Sequence, residues 1–488
     1  MIGNALPGSE PKIDAGSEEP PLFVDLDETL SRTDLLWEAL LILAKTKPLT
    51  LLAAPVWLMR GKAWFKQRVA EQVDLDPKLL TYHQPFLDYL KDEAATGRRL
   101  ILATAAPERW AGAVAKYLGI FQGVLSSTAQ CNLSGNHKLQ AILEECPDGR
   151  FDYAGNAAID LQIWAKARAA IVVNASMAVR HAAEKLARVS RVFDAPQGGF
   201  ASYVKAMRVH QWLKNLLVFV PLVTAHLWFS PTALEQSILA FIAFSLTASS
   251  LYVINDLLDL RADRVHPRKR LRPFAAGDIP ISRGAALFIL LFAAGITCGA
   301  VLSWQFLAVL LAYAAATAAY SLYFKIYTLI DVLLLAAFYT VRVIAGSVAI
   351  MVVPTFWLLA FSMFTFFSLA LLKRYTELLT LNELQVTTTR GRDYCVTDLP
   401  ILANMGVGSG YVATLVLALF INSPDLATRY SRPYALWLLC PLFLYWISRL
   451  WLKAARGEMH DDPLIYAVND RGSRFVVAAM LLSLIAAL

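Results

Sequence analysis

NDLLDLRADRVHPRKRLRPFAAG, residues Asn255–Gly277, decides how this chain is read. Asn255, Asp259 and Asp263 stand four apart, so on a continuing helix their side chains fall on one face. Carboxylates at that interval repel unless a cation joins them. Three oxygen-bearing side chains, with Asp256 beside them, suit Mg2+ whose other ligands are phosphate oxygens. The string ends in Arg264, Arg268, Lys269, Arg270 and Arg272, cations that fit phosphate groups as well as they fit membrane topology.

Working outward, the acidic stripe follows directly on an apolar run of membrane-spanning length. The chain is 57% apolar, above the roughly 45–50% usual for soluble domains, and the excess lies beyond about Leu213. Nine spans are expected, at 213–230, 233–254, 283–302, 304–322, 329–350, 353–372, 400–422, 433–452 and 474–488. From a cytoplasmic N-terminus, the loops after even-numbered spans collect Arg261 to Arg272, Lys325, Lys373, Arg374, Arg390, Arg392, Lys453, Arg456 and Arg471. The opposite loops hold little beyond Arg429 and Arg432, as the positive-inside rule requires. The net charge of +7 therefore reads as topology, and nucleic acid is not expected as a partner. Five scattered cysteines form no CxxC pair, so neither a disulfide framework nor a zinc site is indicated.

The N-terminal part is different. Residues 1–20 read as a disordered tail, 21–180 as a parallel α/β domain, 181–202 as a linker and 203–488 as the membrane domain. Buried strands are expected in FVDLDETL, RRLILATAA, FDYAGNAAIDLQIW and AAIVVNAS, with ligands at their C-terminal ends. PLTLLAAPVWLM, residues 48–59, is too short to span a bilayer. It is expected in the core, the other reading being an apolar face resting on the membrane. Asp25 and Asp27 close the first strand. Held together by Mg2+, one could attack phosphorus while the other handles the leaving-group proton.

The order DLDET, LATAA, GNHK and YAGNAAID resembles the motifs of the haloacid-dehalogenase superfamily, and the insertion after the first motif is similar to the small helical cap of its phosphoserine-phosphatase branch. The resemblance implies Asp25 as nucleophile, Asp27 as acid/base, Thr104 and Lys138 as phosphate binders, and Asn156 and Asp160 as further metal ligands. The chain departs from the family at Asn156, where Asp is usual: an amide oxygen can ligate Mg2+ but brings no charge.

A second polar cluster, YSLYFKIYTLIDV, holds Tyr320, Lys325 and Asp331, with Arg342 inside the following span. Ionisable groups at membrane depth default to a functional reading. Together with the acidic stripe, these residues resemble the UbiA superfamily of membrane transferases. RVHQWLKNLLVF, LLKRYTELL and the two polar strings look like its decaprenyl-phosphate phosphoribosyltransferase branch. That branch implies Mg2+-dependent transfer of 5-phosphoribosyl from phosphoribosyl diphosphate to a polyprenyl phosphate. Asp259 and Asp263 would act in catalysis, and Lys214, Asn215, Arg264, Lys269, Arg270, Arg272, Tyr320, Lys325, Asp331, Arg342, Lys373 and Arg374 in substrate binding. GEMHDDP, with Asp461 and Asp462, reads as a solvated loop. The fused phosphatase would remove the 5-phosphate of the product, with both sites on the cytoplasmic side of the plasma (inner) membrane and homo-oligomerisation left open. The alternatives are an aromatic or quinone prenyltransferase using an isoprenoid diphosphate, and a multispan scaffold with two decayed sites.

Overall fold

The computed structural model describes residues 19–194, 198–383, 392–423, 430–459 and 462–487. Residues 1–18 of the expected tail, and Arg390, Arg429 and Asp461, lie outside these ranges. The chain divides into two compact units: one takes residues up to Ala206 and then Asp256–Ala285, the other Met207–Asn255 and Ala286–Leu488.

In the first unit, six parallel strands, β1 (Leu22–Val24), β2 (Leu100–Pro107), β3 (Gly123–Ser127), β4 (Asp152–Gly155), β5 (Ala169–Val173) and β6 (Val189–Phe193), form one sheet in the order β3-β2-β1-β4-β5-β6. Alternate residues serve two cores. Leu22, Val24, Leu100 and Leu102 enter one; Phe23, Ile101, Ala103 and Tyr153 enter the other. Burial on both faces explains why these strands read as continuous apolar runs. The four expected strands are present. The missed ones, β3 and β6, carry Ser and Arg and run along the two edges of the sheet; β6 falls within the stretch read as a linker. This is a doubly wound parallel α/β fold, whose order reverses between β1 and β4 and so opens a crevice at their C-terminal ends.

Two helices of the insertion matter below, α1 (Leu35–Thr46) and α2 (Lys62–Gln72). Between them, Pro48–Met59 forms a 3-10 turn and a short helix with no buried residue, which corrects the expectation that it is core. Leu35, Ala39 and Leu43 of α1 already fill that side of the core, and only Leu51 and Trp57 of the segment pack against it.

In the second unit and the helices that enter it, seven helices are long and apolar enough to cross a membrane, making this a multi-pass membrane protein. Two of the nine expected spans are shorter among the described residues. The first is a 3-10 stretch, Val209–Phe219, followed by Val220–Thr224. The last is Arg471–Ala487, 17 residues long. The 3-10 stretch packs against α3 (Ile330–Ala349) so closely that a Cβ on Gly346 would lie 2.0 Å from the carbonyl oxygen of Val218. Only glycine permits that approach. The apolar windows of α3 and α4 (Pro231–Leu258) are each 56% buried, against 17% for Ile281–Leu302, so the helices that bear polar residues are interior ones.

Candidate functional sites

At the end of β1 the chain turns. Asp25 accepts from the Leu26 amide, and Glu28 is left-handed at φ 55°, so Asp27 leaves the strand line and accepts instead from the Leu35 amide at the start of α1. The Lys138 ammonium lies 2.9 Å from Asp25 Oδ1 and donates to the Tyr153 hydroxyl at 3.0 Å. Tyr153 donates in turn to Asp160 Oδ1 at 2.9 Å, and Asp160 Oδ2 accepts from the amides of Asn156 and Ala157. Asp25, Lys138, Tyr153 and Asp160 thus form one buried chain across the β1–β4 crevice. Thr104, fully buried on β2, accepts from the Ala106 amide.

Burial pushes the Asp25 carboxyl above its ordinary value, Lys138 opposing and Asp160 adding to the rise. Asp27 is raised further, by burial first and then by Asp34. Lys66 on α2 escaped the sequence reading. Its ammonium donates to the Ala105 carbonyl at 2.8 Å and to Asn132 Oδ1 at 3.1 Å, is depressed by burial, and is partly restored by Asp27, Asp34 and Asp25. No motif marks this lysine, because only folding of the insertion brings it over the acids. The oxygen donors of Asp25, Asp27 and Asn156, with carboxylates crowded into a desolvated crevice, fit a hard divalent cation. Asp160 has both oxygens engaged within the chain, by the Tyr153 hydroxyl and by the amides of Asn156 and Ala157.

The acidic stripe departs from the expected continuous helix. α4 ends at Leu258, Asp259 breaks the regular dihedrals at φ −94° and ψ 9°, and α5 (Leu260–Val265) resumes. Asp256 Oδ1 and Asp263 Oδ2 both meet Arg272 Nη1, at 3.0 and 2.7 Å, while Asp259 Oδ1 meets Lys45 of α1 at 2.5 Å. Among the described residues no three His, Cys, Asp or Glu side chains gather as a metal cluster. The point held by Arg272 Nη1 is nonetheless a cation seat between two buried carboxylates, and its donors fit Mg2+ in exchange for the guanidinium. Arg264, expected to bind substrate, instead donates to Glu38 Oε1 at 2.7 Å, to Oε2 at 3.0 Å and to the Leu79 carbonyl at 2.8 Å. Glu38 also accepts from Thr33. Lys269 and Arg270 are exposed on the turn Lys269–Leu271.

Three polar groupings lie within the second unit. Lys214 and Lys373 converge on Asp462 Oδ2, at 2.7 and 3.2 Å, which corrects the reading of that aspartate as part of a solvated loop. Burial raises the Asp462 carboxyl, but Lys373 and Lys214 outweigh it and hold it at about 2. Arg342, 4% exposed, donates to Asn215 Oδ1 at 2.8 Å, to the Tyr313 hydroxyl at 3.2 Å and to the Phe338 carbonyl. It lies over the rings of Phe244, Tyr313 and Tyr339, and among the described residues no carboxylate pairs with it. Arg374 is 1% exposed and donates to Asp331 Oδ2 at 2.6 Å, to Glu377, and to the Tyr320 hydroxyl at 3.4 Å. Asp331 is fully buried, its other oxygen accepting from Tyr394 at 2.5 Å. Asp331 and Arg374 therefore pair with each other in the interior of the second unit. Lys325 is half-buried on the turn Phe324–Ile326.

A sequence profile described as the UbiA prenyltransferase family matches residues 217–466. Over 473 residues the chain is 34% identical to an uncharacterized protein of Sinorhizobium fredii, covering 96% of this chain and 90% of that protein. It is 35% identical over 295 residues to the nodulation protein NoeC of Azorhizobium caulinodans, covering 59% of this chain and 93% of NoeC. With the decaprenyl-phosphate phosphoribosyltransferase of Mycolicibacterium smegmatis it shares 36% identity over 192 residues, covering 38% of this chain and 59% of that protein. Among solved structures, a UbiA homologue of Archaeoglobus fulgidus bound to GPP and Mg2+ aligns over 58% of this chain and 99% of its own, at TM-score 0.45 and 14% identity. A substrate-bound phosphoserine phosphatase aligns over 37% and 95%, at TM-score 0.27 and 13% identity.

Proposed function

The chain belongs to the UbiA prenyltransferase family, and on that premise we propose that it transfers 5-phosphoribosyl from phosphoribosyl diphosphate to a polyprenyl phosphate, releasing diphosphate, and that its α/β domain then removes the 5-phosphate. The observation that carries this reading is the 36% identity over 192 residues to a decaprenyl-phosphate phosphoribosyltransferase. Charge supports it. Two phosphorylated substrates bring more anionic groups than an isoprenoid diphosphate and an aromatic ring do, and the second unit supplies Lys214, Lys373 and a buried Arg342 with no carboxylate partner among the described residues.

In this reading Asn255, Asp256, Asp259 and Asp263 hold Mg2+, which when bound neutralises the departing diphosphate. Arg272 yields its seat and, with Lys269, Arg270 and Lys325, meets phosphate oxygens. Arg342, oriented by Asn215, offers its remaining donor capacity to an anion. In the α/β domain Asp25 attacks phosphorus, Asp27 protonates the leaving oxygen, and Lys138, Lys66 and Thr104 surround the phosphate; Asn156 completes the metal's oxygen donors. Both reactions are assigned to the cytoplasmic face of the inner membrane, where one chain keeps the lipid intermediate at high effective concentration.

The test combines purified protein, Mg2+, a polyprenyl phosphate and labelled phosphoribosyl diphosphate, beside Asp25→Asn and Asp263→Asn variants. Label should enter the lipid fraction, be lost with Asp263→Asn, and keep its 5-phosphate only with Asp25→Asn. Prenylation of an aromatic acid by the same preparation, with no label in lipid, overturns the phosphoribosyl reading.

A further inference from the structure

Between Glu38 and Glu71 the chain carries six basic residues and no acidic one. Inside this window, Pro48–Met59 exposes a row of large apolar side chains: Leu49 is 79% exposed, Leu52 76%, Val56 55%, Leu58 53% and Met59 87%. Leu51 and Trp57, on the opposite side, pack against the α/β core, so the segment is anchored and its apolar face points outward. Lys47, Arg60 and Lys62 are exposed at its two ends. An outward apolar face too short to span a bilayer, flanked by cations and free of carboxylates, has the composition of an interfacial helix on an anionic lipid surface.

We propose that Pro48–Met59 docks the α/β domain onto an anionic phospholipid bilayer, and that the phosphomonoester this domain hydrolyses is carried by a membrane lipid. Position links the two parts of the proposal. Gly61, at φ 105°, turns the chain from the apolar face directly into α2, and Lys66 of α2 reaches the Ala105 carbonyl, next to Thr104 on β2, at 2.8 Å. The face and the phosphate-binding lysine thus lie within about two helical turns of each other in one insertion. A bilayer is favoured over a second protein because the flanks are uniformly basic and because this chain already spans a membrane. Docking stands on the exposed face alone, whereas lipid as substrate rests on the phosphatase reading.

The test uses the full chain in nanodiscs of phosphatidylcholine and phosphatidylglycerol, with a photoreactive benzoylphenylalanine replacing Leu52 or Met59. Irradiation should attach phospholipid to both positions, and less of it in discs without phosphatidylglycerol. Cross-linking to a second copy of the chain, or no lipid adduct, overturns the docking. A second arm measures hydrolysis of a bilayer-embedded polyprenyl phosphomonoester and of soluble p-nitrophenyl phosphate by the Leu52→Gln/Met59→Gln variant. KM for the lipid should rise at least about tenfold with the soluble substrate unaffected. An equal loss on both substrates overturns lipid delivery, and adducts without hydrolysis of either substrate refute the phosphatase reading while the docking stands.

Discussion

Arg264 donates to both oxygens of the Glu38 carboxylate, 2.7 Å to Oε1 and 3.0 Å to Oε2, joining the segment that carries the acidic stripe to helix α1 of the α/β fold. Both side chains are buried, at 8% and 2% exposure, so neither charge has water to fall back on. Lys45, further along α1, meets Asp259 Oδ1 at 2.5 Å in a more exposed pair. One helix of the insertion thus holds Asp259 of the stripe on which the transferase reading depends, and Arg264 beside it.

Replacing Glu38 by Gln should destabilise the protein by about 3–5 kcal/mol, since it strands a buried guanidinium. Adding Arg264→Met should recover much of that loss, because the lone charge is then gone. Thermal unfolding of the two single variants and the double variant checks the coupling; additive losses would show that the pair is energetically idle.

In the α/β site, burial first and then Asp34 hold the Asp27 carboxyl well above its ordinary value, the direction a general acid needs. Asp27→Asn should lower kcat on an alkyl phosphate by roughly 10²–10⁴-fold. The loss on p-nitrophenyl phosphate should be much smaller, because that leaving group needs no proton. Asp25→Asn should abolish both activities, and steady-state kinetics on the two substrates separates the roles.

Arg342→Met should raise KM for phosphoribosyl diphosphate by roughly tenfold to a hundredfold, the worth of one charge-assisted hydrogen bond. Arg342→Lys should recover part of it, since the charge returns without the planar fork that Asn215 and Tyr313 orient. A change in melting temperature with KM unaltered would assign Arg342 to packing.

Asp462 is held at about 2, below its ordinary value, because Lys373 and Lys214 outweigh its burial. A carboxyl depressed by folding contributes stability that is fully present above its unfolded pKa, near 3.9, and is lost as pH falls through the folded value. The difference in melting temperature between the wild-type chain and Asp462→Asn should therefore be constant from neutral pH down to about 4 and shrink below it. A difference that already declines between pH 7 and 5 would mean that the two lysines do not hold this carboxylate.

What the sequence determined by itself is what depends on near neighbours. The apolar windows of the seven long helices, strands β1, β2, β4 and β5, and the placing of Asp25 and Asp27 at a strand end all follow from hydrophobic runs and periods that a helix or buried strand imposes within a few residues. The edge strands β3 and β6 escaped because their polar residues dilute that signal. Partnership was decided only by the tertiary structure. Arg264 read as a substrate contact until folding placed it on Glu38, 226 residues away, and Asp462 read as solvated until Lys214, 248 residues away, was brought onto it. A charge in sequence carries no information about which distant counter-charge it will meet. That choice is made by packing, because a buried ion must find its partner wherever the fold brings one within about 3 Å.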